Sequence, residues 1–283
     1  MKNKYLFYIR ALIYFISFVL LAACATPGAR LNKAIRTNNH EAVIHELSSG
    51  IDINNSGRLY STPLITAIHY QNKDIARLLI ENGADPNKAD SEYLEPLKEA
   101  VKLKDYAIVR LLIDRGANPA QGECDALYVA VDTIADHTMV KLLAGYGADL
   151  HKKHTYDAVS YGEAHGLFVE IPSDANLSGE FSSSIIISGN VLFVAVNKGY
   201  YDIVKVLLEN GADINESDTH GRTPLMIAAI NNKKDIIKLL LDFDPDLLYK
   251  NQGKNALHYA IKHGANDVAD ILKKEFKENN IRI

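Results

Sequence analysis

Apolar residues recur at helical spacing along most of the chain, in pairs of short runs. Leu64, Ala67 and Ile68 stand at i, i+3 and i+4, one face of a helix. Asn72 and Lys73 make a turn, and Ile75, Leu78 and Leu79 repeat the spacing on a second helix. Thr62 is placed to cap the first helix, because its hydroxyl can accept from an amide of the first turn. Pro63 fits the first helical position, where no amide partner is lost. Gly83 supplies the left-handed residue that ends the second helix. Asp85 and Asn87 are turn formers in the following loop. Each helix has a single apolar side, so the unit cannot bury that side alone and must stack on copies of itself.

The copies are present. Gly83-Ala84-Asp85 recurs as Gly116-Ala117-Asn118, Gly147-Ala148-Asp149 and Gly211-Ala212-Asp213, with a looser Gly50-Ile51-Asp52. Each of the four close copies follows an apolar doublet, such as Leu111-Leu112 or Leu207-Leu208. A second anchor is complete as Thr62-Pro63-Leu64 and Thr223-Pro224-Leu225, and partial at Leu97, Leu127 and Leu257. The anchor leucines Leu31, Leu64, Leu97, Leu127, Leu192, Leu225 and Leu257 are spaced by 33, 33, 30, 65, 33 and 32 residues. A period of this length is the signature of a stacked repeat architecture.

The pattern resembles the ankyrin repeat. One unit carries that family's opening as Asp218, Gly221, Thr223, Pro224 and Leu225. The resemblance covers residues 29–280 and implies an all-α solenoid with seven recognisable repeats plus one degenerate repeat in the 65-residue gap. The unit starting at Leu31 lacks the Thr-Pro opening, as an N-terminal cap would, and the charged run Lys273 to Glu278 suits a C-terminal cap. The gap holds an irregular insertion over residues 154–190. There His154 to Gly166 is expected as the first helix of the degenerate unit, and Phe168–Ile171 and Ser184–Ser188 as strand-like runs around a Pro/Ser/Asn/Gly-rich turn region. Long loops of this kind are often functional.

The N-terminus changes the setting. Lys2, Lys4 and Arg10 form a positive region ahead of the apolar run Ala11 to Ala23, broken only by Ser17. That run is short for a spanning helix, which needs ~20 apolar residues, and fits a secretory leader. It ends in Leu21-Ala22-Ala23-Cys24, which resembles the lipobox of bacterial lipoproteins. The resemblance implies cleavage before Cys24, acyl chains on Cys24, residues 1–23 as signal peptide and 24–28 as lipidated linker. Ala25, where Asp would be the retention signal in enteric-type members, implies the outer membrane, with the protein facing the periplasm. Cys124 would then be the remaining thiol, read as buried and inert.

Composition excludes other classes. The 283 residues are 47% hydrophobic and 23% charged with two cysteines, which is ordinary for a folded chain and too few cysteines for a disulfide framework. Loss of a leader with three bases and no acids leaves 28 basic and 35 acidic side chains, net −7, which is no footprint for nucleic acid. Ser160 and His165 lie near Asp157, but nothing resembles Gly-x-Ser-x-Gly, so no catalytic group is expected. His151 and His154 sit beside Lys152 and Lys153 and read as a solvated loop rather than a metal site. His258 occupies the family's loop-tying histidine position and reads as structural. No cofactor and no metal is expected.

What remains is a protein-binding surface. The resemblance places partners on the fingertips and on the exposed ends of the first helices. The fingertip residues are Arg58, Leu59 and Ser61; Ser91, Glu92 and Leu94, with Tyr93 beside them; Gln121, Gly122 and Cys124; Thr219, His220 and Arg222; and Asn251, Gln252 and Lys254. The helix-end residues are His69 and Tyr70, Lys102 and Leu103, Asp132 and Thr133, Asn197 and Lys198, Ile230 and Asn231, and Lys262 and His263. Phe168 and Phe181 join them from the insertion. Tyr70, Tyr93 and Leu103 are the expected apolar anchors. The function implied is a membrane-tethered periplasmic binding module. Its sharper form is an immunity protein that sterically inhibits a secreted toxin or effector, such as a type VI secretion lipase effector. The alternatives are a scaffold or stress-defence partner of a resident envelope protein, and an enzyme built on the irregular segment.

Overall fold

The computed structural model describes residues 27–55, 61–91, 93–122, 125–157 and 186–280. The leader, Cys24, Arg58, Leu59, Glu92, Cys124, Ser160, His165, Phe168 and Phe181 lie outside them. The chain forms two compact units, Met1–Gln121 and Gly122–Ile283.

The first unit holds three helix pairs: α1 (Pro27–Arg36) with α2 (His40–Ser48), α3 (Pro63–His69) with α4 (Lys73–Glu81), and α5 (Pro96–Lys102) with α6 (Tyr106–Asp114). The second unit holds four. These are α7 (Ala126–Tyr128, continued as a π-helical turn Val129–Thr133) with α8 (His137–Gly145), α9 (Val191–Lys198) with α10 (Tyr201–Glu209), α11 (Pro224–Ile230) with α12 (Lys234–Leu241), and α13 (Ala256–Lys262) with α14 (Asn266–Glu278). First helices pack on first helices, α1 to α3 to α5 in one unit and the π turn to α9 to α11 to α13 in the other. Second helices do the same from α4 to α6 and from α8 through α10 and α12 to α14. Among the described residues the regular elements are therefore helices, apart from one short strand pair and the isolated bridge Asn251–Lys254.

Helices of seven residues are too short to persist alone in water, so packing and caps sustain them. All seven anchor leucines are at most 3% exposed, each worth ~1.5–3 kcal/mol of burial. Thr62 Oγ1 accepts from Ile65 N at 3.2 Å, Asp125 Oδ1 from Tyr128 N at 2.8 Å, and Asn255 Oδ1 from His258 N at 3.1 Å. His258 also bonds Asn255, so its link is to its own cap rather than to a neighbouring loop. Gly83 takes φ +90° after α4, the left-handed geometry its position requires. Between repeats, asparagine side chains form rungs: Asn54, Asn87 and Asn215 Oδ1 accept the amides of Asp85, Asn118 and Asp246 at 2.8, 2.7 and 2.8 Å.

The fourth repeat departs from the rest. From first-helix cap to second-helix cap is ten residues in the second repeat (Thr62 to Asn72) but eleven in the fourth (Asp125 to Asp136). The π turn absorbs the additional residue, as π bulges in helices do.

The 65-residue spacing spans a direct contact between helix pairs. α8 packs directly on α10 and the π turn on α9. Among the described residues no helix pair is stacked between the fourth and fifth pairs, which pack on each other directly; the remainder of the expected degenerate unit, 158–185, lies outside the described residues. The helix expected from His154 begins instead as strand β1 (His154–Asp157), paired antiparallel with β2 (Ile186–Gly189), with His154 opposite Gly189. The strand expected at Ser184–Ser188 is thus present with its described part shifted by a residue, and its partner is β1; Phe168–Ile171 lies outside the described residues.

The root of the insertion is fastened from both sides. His154 is not solvated: it is 3% exposed, its ring 4.5 Å from that of Tyr128 and its Nε2 3.7 Å from Asp125 Oδ2. Lys152 Nζ reaches the same oxygen at 3.4 Å and the Gly122 carbonyl at 2.6 Å. Glu216, in the loop after α10, meets His151 Nδ1 at 3.3 Å on the entering strand side and accepts from Asn190 Nδ2 at 2.7 Å on the leaving side.

Candidate interaction surface

In each repeat the fifth and sixth residues after the anchor leucine fall at the end of the first helix, where the chain turns back. The turn needs a left-handed residue just before the second helix, and Gln71, Lys104, Ala135 and Asn232 take φ values of +57, +54, +48 and +51° there. This fixes the two preceding side chains at the rim of the stack.

In the first unit the fifth position is Arg36, His69 and Lys102 on neighbouring helices α1, α3 and α5, and all three are exposed. His69 Nδ1 lies 2.9 Å from Oε1 of Glu99, which is itself buried. The His69 ring meets Tyr70 edge to face at 5.5 Å, and Tyr70 is 49% exposed. Leu103 is half-buried beside Lys102. The finger between α4 and α5 is a tight turn in which Asp90 Oδ1 accepts from Leu94 N at 2.9 Å. Tyr93 stands at its tip at φ +59° and 84% exposed, with Ser91 exposed and Leu94 half-buried. Ser61 is half-buried at the start of its finger.

In the second unit the same positions are largely taken up internally. Asp132 is buried in the π turn, with Oδ1 2.7 Å from Lys198 Nζ, and its carbonyl accepts from the same ammonium at 3.1 Å. Asn231 Nδ2 donates to Asn197 Oδ1 at 2.7 Å. Arg222 folds back on Asp218 of its own turn, at 2.7 and 2.8 Å. These side chains hold repeats and turns together, and Asp132 in particular is not presented at the surface, a correction to its placement on the exposed ladder. Thr133, Thr219, His220 and Lys262 are exposed, and Ile230 and His263 are half-buried. The Asp132–Lys198 link was not legible from spacing alone, although the cap-to-cap count of eleven marks the place where the repeat is distorted.

Among the described residues no group of three or more His, Cys, Asp or Glu side chains converges as a metal site. No described helix is long and apolar enough to cross a membrane.

The comparisons with known proteins agree with this architecture. The family described as "Ankyrin repeats (3 copies)" matches residues 31–123 and 192–283. An ankyrin repeat protein of Rickettsia bellii is 35% identical over 108 residues, 38% of this chain and 42% of that protein. Protein phosphatase 1 regulatory subunit 12A of Rattus norvegicus is 33% identical over 94 residues, 33% of this chain and 9% of that protein. The chain thus spans less than half the length of these relatives. Among solved structures, the ankyrin repeat domain of Bcl-3 superposes with TM-score 0.67 at 23% identity, covering 86% of this chain and 97% of that one. The human ASB11 ankyrin repeat domain gives TM-score 0.58 at 23% identity, covering 86% and 96%. With three stacked helix pairs in one unit and four in the other among the described residues, a buried anchor leucine in each, and a family match over well over half its length, the chain belongs to the ankyrin-repeat family, whose repeats are protein–protein interaction modules.

Proposed function

We propose that this interaction module works at a bacterial membrane surface, held by lipid on Cys24 and facing the periplasm, and that it is an immunity protein. In this reading it binds a toxin or effector delivered into that compartment and covers the toxin's active site. The observation that carries the anchor is Leu21-Ala22-Ala23-Cys24 at the end of a basic-then-apolar leader. Acyl chains contribute ~0.8 kcal/mol per buried CH₂, enough to hold a folded domain at a bilayer when more than one chain is attached. The first helix starts at Pro27, three residues after that cysteine, so the stack would ride close to the headgroups. A preformed surface also lowers the ordering cost of binding, which tight inhibition needs. The rat relative is named as a regulatory subunit of a phosphatase, and for this chain regulation of an enzyme by binding is proposed, with a secreted lipase-type effector as target.

The test has two parts. Mass spectrometry of the mature N-terminus, and membrane fractionation of Cys24→Ser, examine the anchor: an acylated Cys24 and release of the variant are expected, and an unmodified N-terminus at Met1 refutes it. Titration of the purified full-length chain into secreted enzymes captured with it examines the immunity reading. Inhibition saturating near one equivalent is expected. Capture of resident envelope proteins alone, with no inhibition, replaces it with the scaffold reading.

A further inference from the structure

We infer that the first-helix row of the first unit docks an extended acidic segment of a partner protein, with carboxylates spaced six residues apart in a three-residue-per-turn conformation. This deepens the protein-binding reading and rests on it, but it depends on neither the lipid anchor nor the identity of a toxin.

Charge is unevenly divided along the chain. From Cys24 to Gln121 there are 12 basic and 12 acidic side chains, whereas from Gly122 to Ile283 there are 16 basic and 23 acidic. Within the neutral unit the first-helix ends carry basic side chains and no acid, with Arg36 and Lys102 flanking His69 at one repeat position. The acids nearby are committed. Glu99 is buried against His69, and Asp105 caps α6 through Ile108 N while pairing with Lys73 at 2.9 Å. Arg36 and Lys102 are exposed, and among the described residues neither makes an ion pair. Favourable contact with the helix C-terminal dipole accounts for a cation at any one of these ends. It does not account for the contrast with the second unit, where this position is Asp132, Asn197 and Ile230 in three successive repeats and a cation, Lys262, only in the last.

Spacing then selects the ligand. Packed helices lie ~8–10 Å apart, so Arg36 and Lys102, two helices apart, are separated by about 16–20 Å. A polyproline II segment advances ~3.1 Å per residue and returns to the same face every third residue. Carboxylates at i and i+6 are then about 19 Å apart on one face, and match the two free cations. The residue at i+3 meets the middle rung, where His69 is occupied by Glu99 and the half-exposed Tyr70 ring offers an apolar face. Arg36 adds bidentate geometry for a carboxylate. Nucleic acid is disfavoured by the acidic balance of the whole chain.

The probe is the peptide Glu-Pro-Pro-Pro-Pro-Pro-Glu, with its Gln-ended analogue as control, titrated into isotope-labelled full-length chain in micelles of neutral detergent. Salt-sensitive shifts at Arg36, Tyr70 and Lys102 are expected, about tenfold weaker for the Gln peptide and for Arg36→Glu with Lys102→Glu. The neutral pair Arg36→Gln with Lys102→Gln serves if charge reversal perturbs folding. Equal binding of the two peptides, no shifts in this row, or the same shifts from inorganic phosphate alone would overturn the proposal. Binding of phosphatidylglycerol vesicles but not of the peptide would also overturn it and make the row a lipid contact. None of these outcomes bears on whether a toxin is inhibited.

Discussion

Replacing Lys198 by Met isolates the ion pair that joins α9 of the fifth repeat to the distorted π turn of the fourth. At 2.7 Å and an effective dielectric constant of about 20, the attraction between Lys198 and Asp132 is about 6 kcal/mol. Most of this is offset by desolvation, since the Asp132 side chain is 2% exposed and that of Lys198 only 14%. The intact pair therefore contributes little net stability. Removing the cation alone is different, because the buried carboxylate keeps its desolvation cost and loses the compensating charge, a loss of ~3–5 kcal/mol in comparable settings. The partial exposure of Lys198 places the expectation at the lower end, about 3 kcal/mol. Met keeps the apolar stem, so packing loss is small. Urea unfolding followed by circular dichroism gives the global value, and hydrogen exchange in α9 and the π turn reports local opening if the stack does not unfold as one unit. The double variant Asp132→Leu with Lys198→Met is expected to regain more than half of the loss. A cost below ~1 kcal/mol, the range of an exposed pair, would refute the reasoning.

Three further substitutions have definite signs. Ala135→Gly relieves a left-handed alanine at φ +48° and is expected to stabilise by about 0.5–1 kcal/mol; an unchanged or lower melting temperature counts against it. Asn32 is fully buried in α1 with neither side-chain amide atom hydrogen-bonded, and the next repeat has Ile65 at that position, so Asn32→Leu is expected to gain ~1–2 kcal/mol; destabilisation in a thermal melt would mean the amide is satisfied in solution. Gly189→Ala puts a Cβ 3.0 Å from Cβ and Cγ of Phe193. A loss of ~1–3 kcal/mol is expected, and wild-type stability in chemical denaturation would show that the end of β2 yields freely.

The repeat was legible because its signals are local. Leu31, Leu64 and Leu97 are buried as their spacing demands, and the cap at Thr62 and the left-handed Gly83 follow from residue chemistry within a few positions. What was not legible is non-local. The burial of His154 depends on Asp125 and Tyr128, far from it in the chain but adjacent in space. A Lys beside two histidines reads as solvated until its carbonyl and carboxylate partners are in place, as they are for Lys152. Likewise Asp132 matches the exposed ladder by position, and only the π turn and the approach of Lys198 take it inside. The start of a helix at His154 failed for a different reason: periodicity in a four-residue window does not separate a short strand from a helical turn.

The direct contact between the fourth and fifth helix pairs fixes where the insertion is rooted. Its two ends leave and rejoin the stack as paired neighbours, with His154 opposite Gly189 and Glu216 touching residues on both flanks. The closure of the loop is thus set at its base. Because loop-closure entropy grows only slowly with loop length, a base fastened in this way sets where the chain departs and returns independently of how many residues lie between, and the four helix pairs of the second unit keep their packing whatever sequence the base carries.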